Sequence, residues 1–265
     1  MDLGLQDRAC AVTGASNGIG RATALALARE GAAVLLIGRR EQPLVDAAEA
    51  CREAGGRAEV LALDVTALDA GELVVEACLE RFDRLDALVN NAGTSSVRTV
   101  DELTDEDWQE QWELNVLGPM RLMRAAAPVM AGRGWGRIVN VTSSSGKRPS
   151  GTNMAYSVGK AAQLSLSRAF ADLYASDGVL VNAVAPGPIG TGLWLAPGGL
   201  ADQAAQARGI TREQVLDAAA GRLPLGRYGT DEEIASVITF LCSARASNVV
   251  GAAWSVDGGA VPVII

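Results

Sequence analysis

The sequence predicts a doubly wound α/β three-layer sandwich, with helices on both faces of a mostly parallel, seven-stranded sheet. Three observations carry this. Short apolar runs alternate with longer segments whose apolar residues recur at helical spacing. The short runs are nearly continuous in hydrophobic residues, as strands covered on both faces require. No linker or low-complexity stretch breaks the alternation, so the 265 residues read as one domain.

The strands, in order, are ACAVTG from Ala9, AAVLLIG from Ala32, AEVLALD from Ala58, LDALVNNAG from Leu85, GRIVNVTS from Gly136, VLVNAVAPG from Val179 and AAWSVDGG from Ala252. Between them RATALALARE, EQPLVDAAEACREAGG, DAGELVVEACLERFD, PMRLMRAAAPVMAG and AYSVGKAAQLSLSRAFADLYAS read as helices. Several of these end in glycine, a common helix stop. The stretch Pro186–Tyr228 is irregular, with helical pieces around Asp202–Arg208 and Arg212–Gly221. A long insertion in a compact domain usually serves function, so residues 190–228 are expected to form a lid.

Composition excludes several classes. The formal charge is −8 and the pI about 4.7, which disfavours nucleic acid and anionic membrane surfaces. The start, MDLGLQDRAC, lacks a basic region followed by an apolar run, so no leader is expected. Cys10, Cys51, Cys78 and Cys242 are scattered without a CxxC pair, and histidine is absent, so no metal site is expected. Free thiols of this kind suit a reducing compartment, and the cytoplasm is the expected location.

The first strand runs into TGASNGIG, Thr13–Gly20, directly before a helix. Gly14 permits a tight turn; Gly18 and Gly20 permit close approach of backbone to a phosphate group, and the helix N-terminus offers unpaired N–H groups. Asp64 ends the third strand, and Asn90, Asn91 and Gly93 end the fourth. Ligands of doubly wound sheets bind beyond these carboxyl ends.

Tyr156 and Lys160 stand four residues apart on a predicted helix and share a face. A cation near a phenol favours the phenolate and can make tyrosine a general acid or base near neutral pH. Ser143 stands at the carboxyl end of the fifth strand, placed to hold a substrate oxygen beside the tyrosine.

With these motifs in order, the chain resembles the short-chain dehydrogenase/reductase family, and in particular its 3-oxoacyl-acyl-carrier-protein reductases. The resemblance spans essentially the whole chain: TGxxxGxG at Thr13–Gly20, NNAG at Asn90–Gly93, Asn115 in WELNVLG, the strand serine, YxxxK at Tyr156–Lys160 and PGPIGT at Pro186–Thr191. It implies a Rossmann-type fold and a metal-free hydride transfer between a nicotinamide and a carbonyl carbon. It implies that Ser143 binds the carbonyl and Tyr156 moves the proton. Lys160 would bind the nicotinamide ribose and lower the tyrosine pKa, and Asn115 would hold a water linking Lys160 to solvent.

By the same resemblance the cofactor contacts are Gly14, Ser16, Asn17, Gly18, Ile19, Gly20, Asp64, Val65, Asn91, Ala92, Gly93, Tyr156, Lys160, Pro186, Gly187, Ile189 and Thr191. Gly38 stands where NAD-dependent relatives carry a carboxylate, and Arg39 and Arg40 follow it. NADP(H) is therefore the expected cofactor, with Arg39 on its 2′-phosphate. The expected substrate is a small ketone or secondary alcohol. An acyl-carrier-protein reductase is the alternative, opposed by the like charge of two acidic partners. A non-catalytic nucleotide-binding homologue is a further alternative, opposed by the intact Asn–Ser–Tyr–Lys set. A homotetramer is expected, because relatives pair through their helices and last strand and the tail GGAVPVII is apolar.

Overall fold

The computed structural model of the chain describes residues 2–262. Its strands are β1 (Ala9–Thr13), β2 (Ala33–Gly38), β3 (Arg57–Ala62), β4 (Ala87–Asn90), β5 (Gly136–Val141), β6 (Val179–Pro186) and β7 (Ala253–Val256). Among the described residues they form one seven-stranded sheet in the order β3-β2-β1-β4-β5-β6-β7. Every pairing is parallel, so the sheet is more uniform than the mostly parallel one expected. The order reverses between β1 and β4, which opens a crevice at the strands' carboxyl ends.

The helices are α1 (Gly18–Arg29), α2 (Glu41–Glu53), α3 (Ala70–Phe82), α4 (Asp105–Trp112), α5 (Gly118–Ala131), α6 (Ser144–Lys147), α7 (Met154–Tyr174), α8 (Gly192–Leu195), α9 (Leu200–Arg208), α10 (Arg212–Ala220) and α11 (Asp231–Cys242). Strand side chains alternate between two cores. Cys10, Val12, Val34 and Leu36 face α1, α2 and α11, where Leu27, Leu44 and Ile238 are fully buried. Ala9, Ala11, Leu35 and Ile37 face the other layer, with Val74 of α3, Met123 of α5 and Ala171 of α7. This period of two explains why the strands read as unbroken apolar runs. The four cysteines are buried free thiols.

Two segments escape the sequence periodicity. α4 buries none of its residues, and it starts on a capping box in which Thr104 and Asp107 satisfy each other's backbone N–H groups. Between α4 and α5 the chain adds a single π turn, Glu113–Leu117, which carries Asn115. A π turn inside a helix often marks a functional position.

β7 is an edge strand, and Ala253, Trp254 and Ser255 are exposed. Phe240 of α11 stacks on Trp254 with ring centroids 5.8 Å apart. Lys147 Nζ donates to the Ala253 carbonyl at 2.7 Å and to Ser255 Oγ at 2.9 Å, which ties α6 to that edge. The last three residues of the apolar tail, on which the expected assembly partly rests, lie outside the described residues.

Candidate active site

The strand ends surround a cleft of about 1610 Å³, large enough for a dinucleotide and a small substrate together. Its floor at the β1 end is backbone. Gly14 adopts φ +64°, a left-handed conformation that favours glycine, and a Cβ there would lie 2.9 Å from the Ala92 Cα. α1 begins without a side-chain cap, because Asn17 makes no capping hydrogen bond. Its first N–H groups are therefore free to receive an anion. Ser16, Asn17, Gly18 and Ile19 line the cleft beside them.

Two expected contacts also serve the fold. Gly20 does not line the cleft. A Cβ at Gly20 would lie 2.3 Å from the Gly14 carbonyl oxygen, so this glycine lets α1 pack on the turn. Asn91 borders the cleft, but its side chain is committed to the fold: Nδ2 donates to the Thr13 carbonyl at 2.9 Å and to that of Gly14 at 3.3 Å. Thr13, the first residue of the TGxxxGxG motif, completes this clasp. Its Oγ1 accepts from the Asn91 and Ala92 N–H groups, each at 3.0 Å. A threonine before the first glycine was the available signal.

At the β2 and β3 ends, Gly38, Arg39, Arg40, Asp64 and Val65 line the far end of the cleft. Both arginines are exposed, and Arg40 stands at the start of α2 without capping it through its side chain. The Thr66 backbone N–H, 3.0 Å from Asp64 Oδ1, holds that carboxyl below the usual range, and the Thr66 hydroxyl and the Arg39 charge add to this. Pro186 ends β6, and together with Gly187, Ile189 and Thr191 it lines the same cleft, as do Ala92 and Gly93.

Ser143, Tyr156 and Lys160 meet at the end of β5 and the first turns of α7, and all three line the cleft. Ser143 caps α6, accepting the Ser145 N–H at 3.1 Å. Burial pushes the Tyr156 phenol above its ordinary pKa, and hydrogen bonding with the Ser143 hydroxyl draws it partly back. Lys160 is 2% exposed, and burial alone pushes its ammonium down to about 7. Its Nζ lies 5.7 Å from the Tyr156 ring centroid and donates to the Val141 carbonyl at 2.9 Å and to Gln163 Oε1 at 3.0 Å. The expected lowering of the phenol pKa by the neighbouring ammonium is thus not a property of the chain alone. Lys160's donors are held by neutral oxygens, and desolvation dominates both groups.

Asn115 does not line the cleft either. It is fully buried beneath it, with Nδ2 donating to the Gln111 carbonyl at 3.0 Å and to Gln111 Oε1 at 2.9 Å. Its Oδ1 has no partner. A Cβ on Gly93 would stand 3.5 Å from both this Oδ1 and Lys160 Nζ, so Gly93 packs closely against both groups.

The stretch 190–228 holds α8, α9 and α10 and covers one side, with Leu193, Trp194 and Leu200 facing the cleft. Trp194 meets Tyr228 edge-on at 5.6 Å. Gln203 Oε1 of α9 accepts the Val97 N–H at 2.9 Å, which joins this stretch to the loop after β4. In that loop Ser95 Oγ is buried at the cleft wall without a partner.

Among the described residues, no helix is long and apolar enough to cross a membrane. A family profile described as enoyl-(acyl carrier protein) reductase matches residues 14–261. The 3-oxoacyl-[acyl-carrier-protein] reductase FabG of Thermotoga maritima is 34% identical, over 97% of this chain and 99% of its own. L-Sorbose reductase of Gluconobacter frateurii, solved with NADPH and L-sorbose, matches with a TM-score of 0.93 at 36% identity, covering 100% of both chains. An NAD+-bound xylitol dehydrogenase matches with a TM-score of 0.90 at 30% identity, over 96% of this chain and 99% of its own. With its parallel sheet, its glycine cradle and these relatives, the chain belongs to the short-chain dehydrogenase/reductase family of nicotinamide-dependent oxidoreductases.

Proposed function

We propose that the protein reduces a small ketone with NADPH, or oxidises the matching secondary alcohol with NADP+. The observation that carries this is the convergence of Ser143, Tyr156 and Lys160 in one cleft whose floor is the glycine turn. A nicotinamide cofactor bound there supplies the hydride donor or acceptor. Ser143 donates its hydroxyl hydrogen to the substrate oxygen and fixes its position. Tyr156 Oη gives a proton to that oxygen in reduction and takes one in oxidation. Lys160 supplies positive charge at the floor, which favours the phenolate as it forms. Asn115 stands below and holds the route by which Lys160 exchanges protons with solvent. Leu193 and Trp194 close over the reacting groups and exclude water. A panel of ketones and alcohols, offered with each nicotinamide and followed by its absorbance, tests the reading. Turnover is expected, and none across the panel would sink it.

The cofactor preference rests on Arg39 and Arg40 at the cleft's far end. A guanidinium grips a phosphate through paired charge-assisted hydrogen bonds. Gly38 leaves room there, since a Cβ would meet only Leu44 at 3.5 Å. Arg39→Glu is expected to lower the NADPH to NADH ratio of kcat/KM by ~10-fold or more, the scale of one lost charge-assisted contact. Gly38→Asp should move the ratio the same way. A wild-type ratio that favours NADH would overturn the preference.

A second reading, an acyl-carrier-protein reductase, is favoured by the family profile and the Thermotoga maritima relative. It is opposed by the charge of −8. Saturation by a free acyl thioester at concentrations no higher than by its carrier-bound form would decide against it.

The exposed edge of β7, with Trp254 open to solvent, suits a symmetric contact with a second copy. We assign the chain a homotetramer built partly on that edge. Light scattering at micromolar concentration should give four times the chain mass, and a monomer would refute the assignment.

A further inference from the structure

Gln163 lies one turn past Lys160 on α7 and is fully buried, and the reaction outlined above gives it no part. Its Oε1 accepts from Lys160 Nζ at 3.0 Å, while its Nε2 is buried without a partner. A half-satisfied buried amide is a worse filler than an apolar side chain of the same size. Leucine or methionine would occupy this inner face of α7 without that cost. Packing therefore does not explain a glutamine here, and the contact with Lys160 does.

Charge does not hold the ammonium in place. On the elements packed against α7, Glu113 of the π turn bonds Arg121 of α5 at 2.9 Å, and Asp107 of α4 pairs with Arg98. Arg137 of β5 donates to the Ser243 carbonyl, and Lys147 of α6 to that of Ala253. Asp105, Glu106 and Glu110 of α4 and Arg124 of α5 are exposed. On α7 itself Arg168 pairs with Asp172, and Tyr156 carries a neutral phenol. Lys160 Nζ is left with two neutral acceptors, the Val141 carbonyl and the Gln163 amide. The carbonyl is fixed by β5. The amide is the one contact that a substitution can remove.

We propose that Gln163 is a positioning residue for Lys160: its side-chain oxygen fixes where the ammonium stands at the cleft floor and helps to keep it protonated. Hydrogen bonds to a charged group are stronger than those between neutral groups, and one acceptor of two is a large share of what offsets burial here. The value of this arrangement to catalysis rests on the function proposed above, but the arrangement itself does not.

The test uses a property of the sequence. The chain has only two lysines, Lys147 and Lys160, so lysine-labelled protein gives two side-chain signals in nuclear magnetic resonance. Lys160→Met assigns them. In the cofactor-free protein, Gln163→Leu is expected to lower the Lys160 pKa by about one unit or more, and Gln163→Glu to raise it by at least as much. The Lys147 signal should not move in either. In the loaded enzyme, the pH profile of kcat/KM should shift in the direction of the lysine titration. A Lys160 titration unchanged in both variants, or shifted the same way by leucine and glutamate, overturns the proposal. Gln163→Met replaces Gln163→Leu should the latter not fold. A Lys160 signal that moves as expected in a protein that turns over no ketone keeps this inference and removes the functional one.

Discussion

Replacing Tyr156 with phenylalanine is expected to cut turnover by ~10²–10⁴-fold, the usual worth of a positioned general acid. The substitution removes one oxygen and little volume. Ser143 keeps its bond to the Ser145 N–H, and Lys160 keeps its two acceptors, so the cleft should hold its shape. Nicotinamide affinity, read by fluorescence titration, should stay within about twofold, since the glycine cradle lies on a different part of the cleft wall. Loss of kcat with unchanged affinity places the defect in the chemical step. Retention of more than about a tenth of wild-type turnover would show that another group moves the proton.

The second large effect is on stability. Lys160 stands at about 7 in the folded protein, far below its ordinary 10.5. Between those values the unfolded chain binds a proton that the folded chain does not. The lysine's contribution to stability therefore rises with pH in that window, by at most about 1.4 kcal/mol per unit. Below pH 7 both states are protonated and the slope vanishes. The gain is masked, because burial raises all four cysteines, Cys51 to about 11 and Cys78 and Cys242 to about 12. Unfolded thiols ionise around pH 8.5 and pull the balance the other way. Urea unfolding of the cofactor-free protein should thus be nearly level from about pH 7 to 8.5, because the lysine's gain of roughly 1.6 kcal/mol and the loss from the four thiols are of similar size. Lys160→Met should lose the gain, fall across this window by about that amount, and stabilise the protein most at the acid end. An equal slope in both proteins would show that Lys160 titrates elsewhere.

The seven strands were legible because a parallel sheet buries both faces, and Ala9–Thr13 or Val179–Pro186 leave almost no polar position to blur the pattern. The glycine turn, the strand-end serine and the Tyr156–Lys160 pair were legible because each needs particular residue types at fixed spacing. α4 was not, since a helix that buries none of its residues carries no apolar period. The π turn at Asn115 was invisible for another reason: one extra residue per turn does not disturb composition. Roles that depend on three-dimensional distance were also out of reach. Gly20 proves to pack against the Gly14 carbonyl, and Asn91, while lining the cleft, also clasps β1 through its side chain. Gln163 reads as an ordinary polar position on a helix until Lys160 Nζ is found 3.0 Å away.

The burial of every cysteine, in a chain without histidine, has a consequence for how the molecule handles acid and base. Carboxylates have released their protons well below neutrality, and these thiols hold theirs well above it. Lys160 changes its charge in between. Apart from the chain's first amine, the buffering capacity of the folded protein near pH 7 is then concentrated in one ammonium at the floor of the cleft. Whatever enters the cleft and favours or disfavours that charge must draw a proton from the solution or return one. Heats of ligand binding that change with the ionisation enthalpy of the buffer accordingly register that ammonium, once the protons of the first amine and of any phosphate on the ligand are subtracted.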